Sequence, residues 1–452
     1  MNPKLKDIKV RLENVGPGFC LAKWYHVSMH LHTGTNHSCY HPAPHRVSLD
    51  EINKNPSALH NSEYKKLQRK AMLEGERPKE CSYCWDIEDL PGEQISDRYL
   101  RSSEPWASHL LDETSKIDWQ ANVYPRYLEV NFGYECQFKC SYCASTVSSS
   151  WHSEIKREGD YPLENPTNKK QYGITQITRV NEFWQREEGN PYIEAFWKWF
   201  PEAYPHLHTL RITGGEPLLS SNVFKVLDWI DQHPRPDIAF AINSNMGIPK
   251  RNLNKFIDYC KKLKAENKVG HLSLFTSIDT WGPQAEWIRN GLELKTWESN
   301  VRQYLDQVPG SSIGIMITFC FLSLPNFNLL LDKILELRKD YPNRLWFDTP
   351  YLLEPPHLSS LIADDIQISK INDTLAYMKS LVRDNNPLFF NDQEYRKLER
   401  VVRWIEHNRY QGDELNINRR DFVRFVKEHD KRRGTDFLKA FPELEYFINQ
   451  YG

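Results

Sequence analysis

The sequence has little charge bias, no long apolar run and no even set of cysteines. Lysine plus arginine number 58 against 60 aspartate plus glutamate in 452 residues, a formal net charge of −2. No global field therefore draws the chain to nucleic acid or to an anionic membrane. No basic strip interleaved with aromatics stands out either, so nucleic acid is not an expected partner. No stretch approaches the roughly 20 apolar residues of a membrane span, and the N-terminal MNPKLKDIKVRLENVGPG lacks the apolar centre of a secretion signal. A soluble, cytoplasmic protein with no membrane partner is the expectation. Repeats of fixed period and low-complexity tracts are missing too. Nine cysteines is an odd number for a disulfide framework, and seven of them fall in two N-terminal groups. That distribution points to metal ligation in a reducing compartment.

A chain this long suits one large α/β unit of about 200–250 residues with smaller pieces attached. Residues 1–118 read as irregular, without a large core. Six of the sixteen histidines lie between His26 and His45, followed by one helical stretch near 62–76 and the pair Cys81 and Cys84. From Tyr127 short apolar runs alternate with segments of helical periodicity, the pattern of parallel βα units. It predicts strands over 126–132, 208–212, 238–243, 271–277, 314–319 and 344–347. Helices are predicted over 181–200, 223–232, 253–267, 287–307, 328–339 and 366–383. Residues 392–452 read as amphipathic helix with a pause at Arg433 and Gly434. The expected units are residues 1–118, 119–355 and 356–452.

The segment EVNFGYECQFKCSYCAST closes the first predicted strand and places Cys136, Cys140 and Cys143 at C-x3-C-x2-C spacing in the loop beyond it. Three thiolates on one short loop suit three corners of a cubane cluster and leave one iron open to a substrate or cofactor. Zinc is the competing reading, although a structural zinc site wants a fourth ligand from elsewhere. After the second strand, RITGGEPLL offers Gly214 and Gly215 for close backbone approach and Glu216 as a buried acceptor. The third strand ends in Asn243, Ser244 and Asn245 and the fourth in TSIDTWG with Asp279, at strand ends where parallel barrels gather polar groups. Cys260 and Cys320 read as core residues. Cys20, Cys39, Cys81 and Cys84 are four ligands, enough to close a metal site, and the last two have the C-x2-C spacing of Fe–S and zinc knuckles. Interleaved His26, His30, His32, His37, His41 and His45 leave room for mixed ligation.

The C-x3-C-x2-C loop, with aromatic Tyr142 before its last cysteine, resembles the signature of the radical S-adenosylmethionine (SAM) superfamily, and GGEP resembles that family's second motif. The resemblance implies an α/β fold built on a partial (β/α)6 barrel. It also implies a [4Fe–4S] cluster on Cys136, Cys140 and Cys143 whose open iron chelates SAM. Gly214, Gly215 and Glu216 would then receive the SAM amino group, and Tyr142 would lie against the adenine. Asn243, Ser244 and Asn245 would bond the ribose or carboxylate, with Asp279 reaching SAM or substrate and Arg289 near the SAM carboxylate. The four N-terminal cysteines, the segments SLDEINKN and LEGERPKECSYCWDIE, and the tail DFVRFVKEHDKRRGTDFLKAFPEL resemble twitch-domain (SPASM-like) members of the group. That implies an N-terminal auxiliary-cluster domain with a second [4Fe–4S] cluster and a helical C-terminal extension, with an electron donor such as flavodoxin or ferredoxin as partner. One departure is that Cys39 stands alone before Tyr40, where some relatives carry a Cys-Cys pair. The implied activity is reductive SAM cleavage and hydrogen abstraction, an oxidoreductase or maturase chemistry, on a peptide or protein side chain. A small alcohol or sugar is the alternative substrate. A non-catalytic Fe–S sensor is a third reading, against which the joint presence of the cysteine loop and Glu216 argues.

Overall fold

Each of the six apolar runs predicted as strands forms one, because a strand covered on both faces must be apolar almost throughout. In the computed structural model, which describes residues 3–92, 94–181 and 183–452, the strands in chain order are β1 (His26–His30), β2 (Thr35–His37), β3 (His45–Arg46), β4 (Tyr127–Asn131) and β5 (Lys139–Cys140). They continue with β6 (Thr209–Thr213), β7 (Arg235–Ser244), β8 (Val269–Ser277), β9 (Arg289–Asn290), β10 (Ser312–Met316) and β11 (Leu345–Asp348). Nine of these make one sheet in the order β11-β10-β8-β7-β6-β4-β1-β2-β3, and β5 pairs with β9 apart from it. All pairs from β1 to β11 are parallel, with His30 opposite Asn131, Glu129 opposite Arg211 and Asn243 opposite Phe275. The fold is thus mixed α/β around a large, mostly parallel sheet. Parallel pairing brings the C-terminal ends of β4, β6, β7, β8 and β10 to one edge, where such sheets bind ligands.

The N-terminal residues depart most from expectation. Instead of irregular chain they supply three strands of the main sheet, so the sheet runs across the boundary expected at 118/119. They also carry a second apolar cluster that includes Phe19, Trp24, Met72 and Trp106. The expected helix 181–200 is interrupted, residue 182 lying outside the described residues. One helix ends at Asn181, and the next, Pro191–Ala203, starts where the Asn190 side chain accepts from Tyr192 N and Ile193 N and Pro191 takes the first turn. The expected helix 287–307 is likewise split by β9 and Gly291 (φ 106°) into Pro283–Ile288 and Leu294–Gln307. The helix Gly412–Arg433 ends where Gly434 turns left-handed (φ 64°), at the predicted pause. Cys260 and Cys320 are fully buried, as read from sequence. No helix among the described residues is long and apolar enough to cross a membrane.

Candidate functional site

The cysteine loop leaves the C-terminal end of β4 and is fastened from every side by backbone. β5 pairs antiparallel with β9, Cys140 opposite Arg289, and Ser141 N donates to Ile288 O at 2.6 Å. Ser148 Oγ donates to Phe138 O and Ser150 Oγ to Cys136 O, while Trp151 Nε1 donates to Cys140 O at 2.8 Å. Tyr172 OH donates to Ser141 O, and Arg433, from the C-terminal helix, to Lys139 O, each at 2.7 Å. A loop with most of its carbonyls claimed holds its side chains in place.

Two of the three thiols, Cys140 and Cys143, are in direct contact. Cys143 donates to the Cys140 sulfur, which holds Cys140 below the ordinary thiol range and pushes Cys143 above it. Burial, aided by Cys140, pushes Cys136 up to about 12. Arg289 Nη1 stands 3.7 Å from the Cys140 sulfur, and Asn245 Nδ2 stands 3.9 Å from that of Cys136. Three soft sulfur donors on one loop are the right chemistry for an iron–sulfur cluster, but among the described residues neither these three nor any other set of three or more His, Cys, Asp or Glu side chains is arranged to hold a metal ion.

Beside the loop, Gly215 N donates to Gly133 O at 3.2 Å and Glu216 N to Glu135 O at 2.7 Å, so the Gly-Gly-Glu turn is bonded to the segment leading into Cys136. Only glycine fits: a Cβ on Gly214 (φ 137°) would stand 2.6 Å from Asn131 Oδ1, and one on Gly215 2.4 Å from Glu135 O. Glu216 is 2% exposed and accepts from Asn245 N at 2.7 Å and Leu218 N at 3.1 Å. Burial outweighs those bonds and pushes its carboxyl up to about 7.

Asp279 and Arg289 are brought to the loop but are committed to each other, at 2.9 and 3.0 Å in a two-pronged pair. Asp279 also accepts from Tyr142 OH and Thr318 N, each at 2.9 Å, and so fixes the Tyr142 ring. Ser244 and Asn245 lie at the site, Ser244 Oγ accepting from Met246 N. Asn243 is drawn away, its side-chain oxygen accepting from Arg211 Nε and Nη2 at 3.2 and 3.1 Å. Sequence reading missed the supporting Ser148, Trp151, Tyr172 and Arg433, the last of which reaches across 294 positions. It also missed a cavity of about 870 Å³, whose wall includes Gly214, Asn131, Ala144 and His30.

The four N-terminal cysteines line a common cavity of about 20 Å³, room for one water-sized sphere. Burial pushes Cys39 and Cys84 up to about 12 and Cys81 to about 11, and raises Cys20. A cation would be needed to ionise such a set. Buried Lys23 pairs with Glu80 beside Cys81. Four thiols are the right donors for a soft metal, while the space as it stands is that of a single ion. Among the described residues, no group of three or more His, Cys, Asp or Glu side chains is arranged to hold a metal ion. Of the interleaved histidines, His37 bonds Cys39 O, and His41 bonds Asp97 at 2.6 Å.

The two cysteine sets stand at opposite edges of the sheet. Cys20 precedes β1, and Cys39 follows β2, which runs antiparallel to β1. Both therefore lie near the start of the parallel strands, where Tyr40 OH meets Tyr127 OH at 2.6 Å, whereas Cys136 follows the end of β4. No protein-family model, no curated protein and no solved structure matches this chain.

Proposed function

We propose that the chain is a radical SAM enzyme, with a [4Fe–4S] cluster held by Cys136, Cys140 and Cys143 and SAM held by Gly214, Gly215 and Glu216. The observation that carries this reading is the direct backbone bonding of the Gly-Gly-Glu turn to the segment that enters the three-cysteine loop. When bound, the cluster and SAM supply one-electron reductive cleavage and hydrogen abstraction by the resulting 5′-deoxyadenosyl radical. Glu216 offers a desolvated carboxylate to an ammonium, and the cation itself would favour the ionised form. Tyr142, held through its hydroxyl by Asp279, presents a fixed ring for an adenine. Asn245 ties the Glu216 turn to Cys136 through its backbone N–H and its side chain. An external one-electron donor of the flavodoxin or ferredoxin type completes the reaction. A peptide or protein side chain is the first substrate reading. The roughly 870 Å³ cavity beside Gly214 favours the second, a small molecule, because it lies within the range of small-ligand sites.

The N-terminal set is read as an auxiliary [4Fe–4S] site, with a single zinc ion as the rival that its small cavity favours. Anaerobic iron and sulfide analysis with EPR, alongside 5′-deoxyadenosine formation under reductant, tests both. About eight irons in wild type, about four in a Cys136/Cys140/Cys143 triple Ala variant and 5′-deoxyadenosine from wild type alone is the expected result. Four irons plus zinc would keep the enzyme and replace the second cluster. Reconstituted, reduced protein that forms no 5′-deoxyadenosine would defeat the radical reading.

A further inference from the structure

We propose that the large cavity beside Gly214 binds a small-molecule substrate through an anionic group, a phosphate or a carboxylate. The proposal rests on the reading above in taking that molecule to be the substrate of the same site.

Three cations line the mouth of this cavity from three elements, each solvent-exposed: Arg46 at the end of β3, Lys170 in the helix Pro166–Gln171 and Arg179 in the helix Ile174–Asn181. Glu354 is the one acid among its described lining residues. Arg46 bonds the Tyr192 phenol, and none of the three cations forms an ion pair among the described residues. A concave wall with such an excess of positive charge raises the local potential and selects an anion. Arginine and lysine together suit a phosphate or carboxylate oxygen set. His30 and His32, also on the wall, are held neutral by burial at about 3 and about 4, so they add hydrogen-bonding capacity without charge.

A second observation is independent of charge. Asn131, Gln176 and His32 line the same cavity at 7%, 8% and 3% exposure, and Asn131 Oδ1, Gln176 Oε1 and His32 Nδ1 have no partner. A buried polar atom left without a partner costs about 1–3 kcal/mol, so a rotation that turned one of these closed-off atoms into the cavity toward a ligand would be favoured. Two are amide oxygens, which need O–H or N–H donors. Glu216, the residue assigned to the SAM ammonium, is not on this wall although Gly214 is, so the cavity adjoins the SAM position and the test measures SAM binding beside anion binding.

The test uses full-length, anaerobically reconstituted protein saturated with SAM, and titrates inorganic phosphate and succinate at constant ionic strength by calorimetry. Wild type is compared with R46Q/K170Q/R179Q and with K250Q/R251Q/K255Q, which removes equal charge from the helix Lys250–Ala265 outside the cavity. Wild type and the second variant should bind at least one anion saturably. The cavity variant should bind it at least tenfold more weakly, since each lost charge-assisted bond is worth about tenfold. Binding of phosphate alone assigns a phosphoryl group, and of succinate alone a carboxylate. No anion binding by wild type overturns the proposal, as does equal weakening in both variants. A cavity variant that loses SAM binding also overturns it, because the cations would then serve SAM. Formation of 5′-deoxyadenosine without anion binding defeats only this proposal. Anion binding without 5′-deoxyadenosine keeps the anion site and defeats the radical reading.

Discussion

Replacing Asp279 by alanine strikes the joint on which the cysteine loop, Tyr142 and the sheet all hang. Asp279 is fully buried and accepts four hydrogen bonds, from Arg289 Nε and Nη2, Tyr142 OH and Thr318 N. Asp279→Ala leaves the Arg289 guanidinium, 5% exposed, as an unpaired buried charge. Breaking a buried pair in this way costs about 3–5 kcal/mol. An unfolding entropy of about 2.1 cal/mol/K per residue gives near 1 kcal/mol/K for the 452 residues, so the thermal midpoint should fall by about 4 °C. Arg289→Met should cost a similar amount by stranding the carboxylate. The double variant D279A/R289M removes both charges, and replacing a buried ion pair by apolar residues is often close to neutral. It should therefore fall about 1–2 kcal/mol below wild type, which leaves a coupling energy of about 3 kcal/mol or more between the two sites. The assay is urea and thermal unfolding of metal-free, reduced protein. A double variant whose loss equals the sum of the singles would show that the two side chains do not act as a pair, and the reasoning would fail.

Three further perturbations test neighbouring contacts. Gly214→Ala and Gly215→Ala each drive a Cβ into backbone or amide oxygen, so each should cost about 1–3 kcal/mol in strain or block folding; midpoints within 1 °C of wild type would refute the close approach. Glu216, with a folded value of about 7 against 4.5, keeps in the native state a proton that the unfolded chain gives up. Its contribution is full below pH 4.5 and is lost as pH rises through about 7, roughly 3 kcal/mol in all; Glu216→Gln should remove that slope from urea midpoints of the metal-free protein. Arg433→Ala removes one of the two cations paired with buried Glu154, which keeps Lys139 and Tyr161, and frees Lys139 O. Amide exchange across 139–143 should quicken at least tenfold, and unchanged exchange would mean that the C-terminal helix does not clamp the loop.

The six central strands were legible because continuous apolar runs bounded by turns have few other solutions. Strand β1 also carried a signal: in HVSMH, Val27 and Met29 alternate with His26, Ser28 and His30. The histidines masked it, since polar residues suggest an exposed face or a ligand set. Here His26 and Ser28 are buried with the apolar pair, because β1 is flanked by β4 and β2. The break at β9 was hidden for the opposite reason, as apolar spacing continues through Ile288, Leu292 and Trp297 across it. Only Gly291 marked the stop. At the site, residues close in sequence were readable and their supports were not. Arg433 lies 294 positions from the carbonyl it holds, and no local pattern encodes that contact.

Strand polarity constrains what a metal at the N-terminal cysteines could do. β1 and β4 run parallel in register from His26 opposite Tyr127 to His30 opposite Asn131. Four residue steps of about 3.3 Å put the two ends roughly 13 Å apart. Cys39 and Tyr40 lie at the Tyr127 end, and Gly214 and the large cavity at the Asn131 end. A substrate atom in that cavity is thus out of bonding reach of the N-terminal set, which leaves electron transfer or structural support as its role. The variant C81S/C84S separates the two sites. It should lose the N-terminal metal and, with it, part of the stability of the cluster around Phe19, Trp24 and Met72. SAM affinity, by calorimetry on reconstituted protein, should stay within about twofold of wild type, because additivity holds for sites more than about 10 Å apart. A tenfold loss of SAM binding in this variant would show the edges to be coupled through β1 and β4, and would return the N-terminal cysteines to the substrate side of the problem.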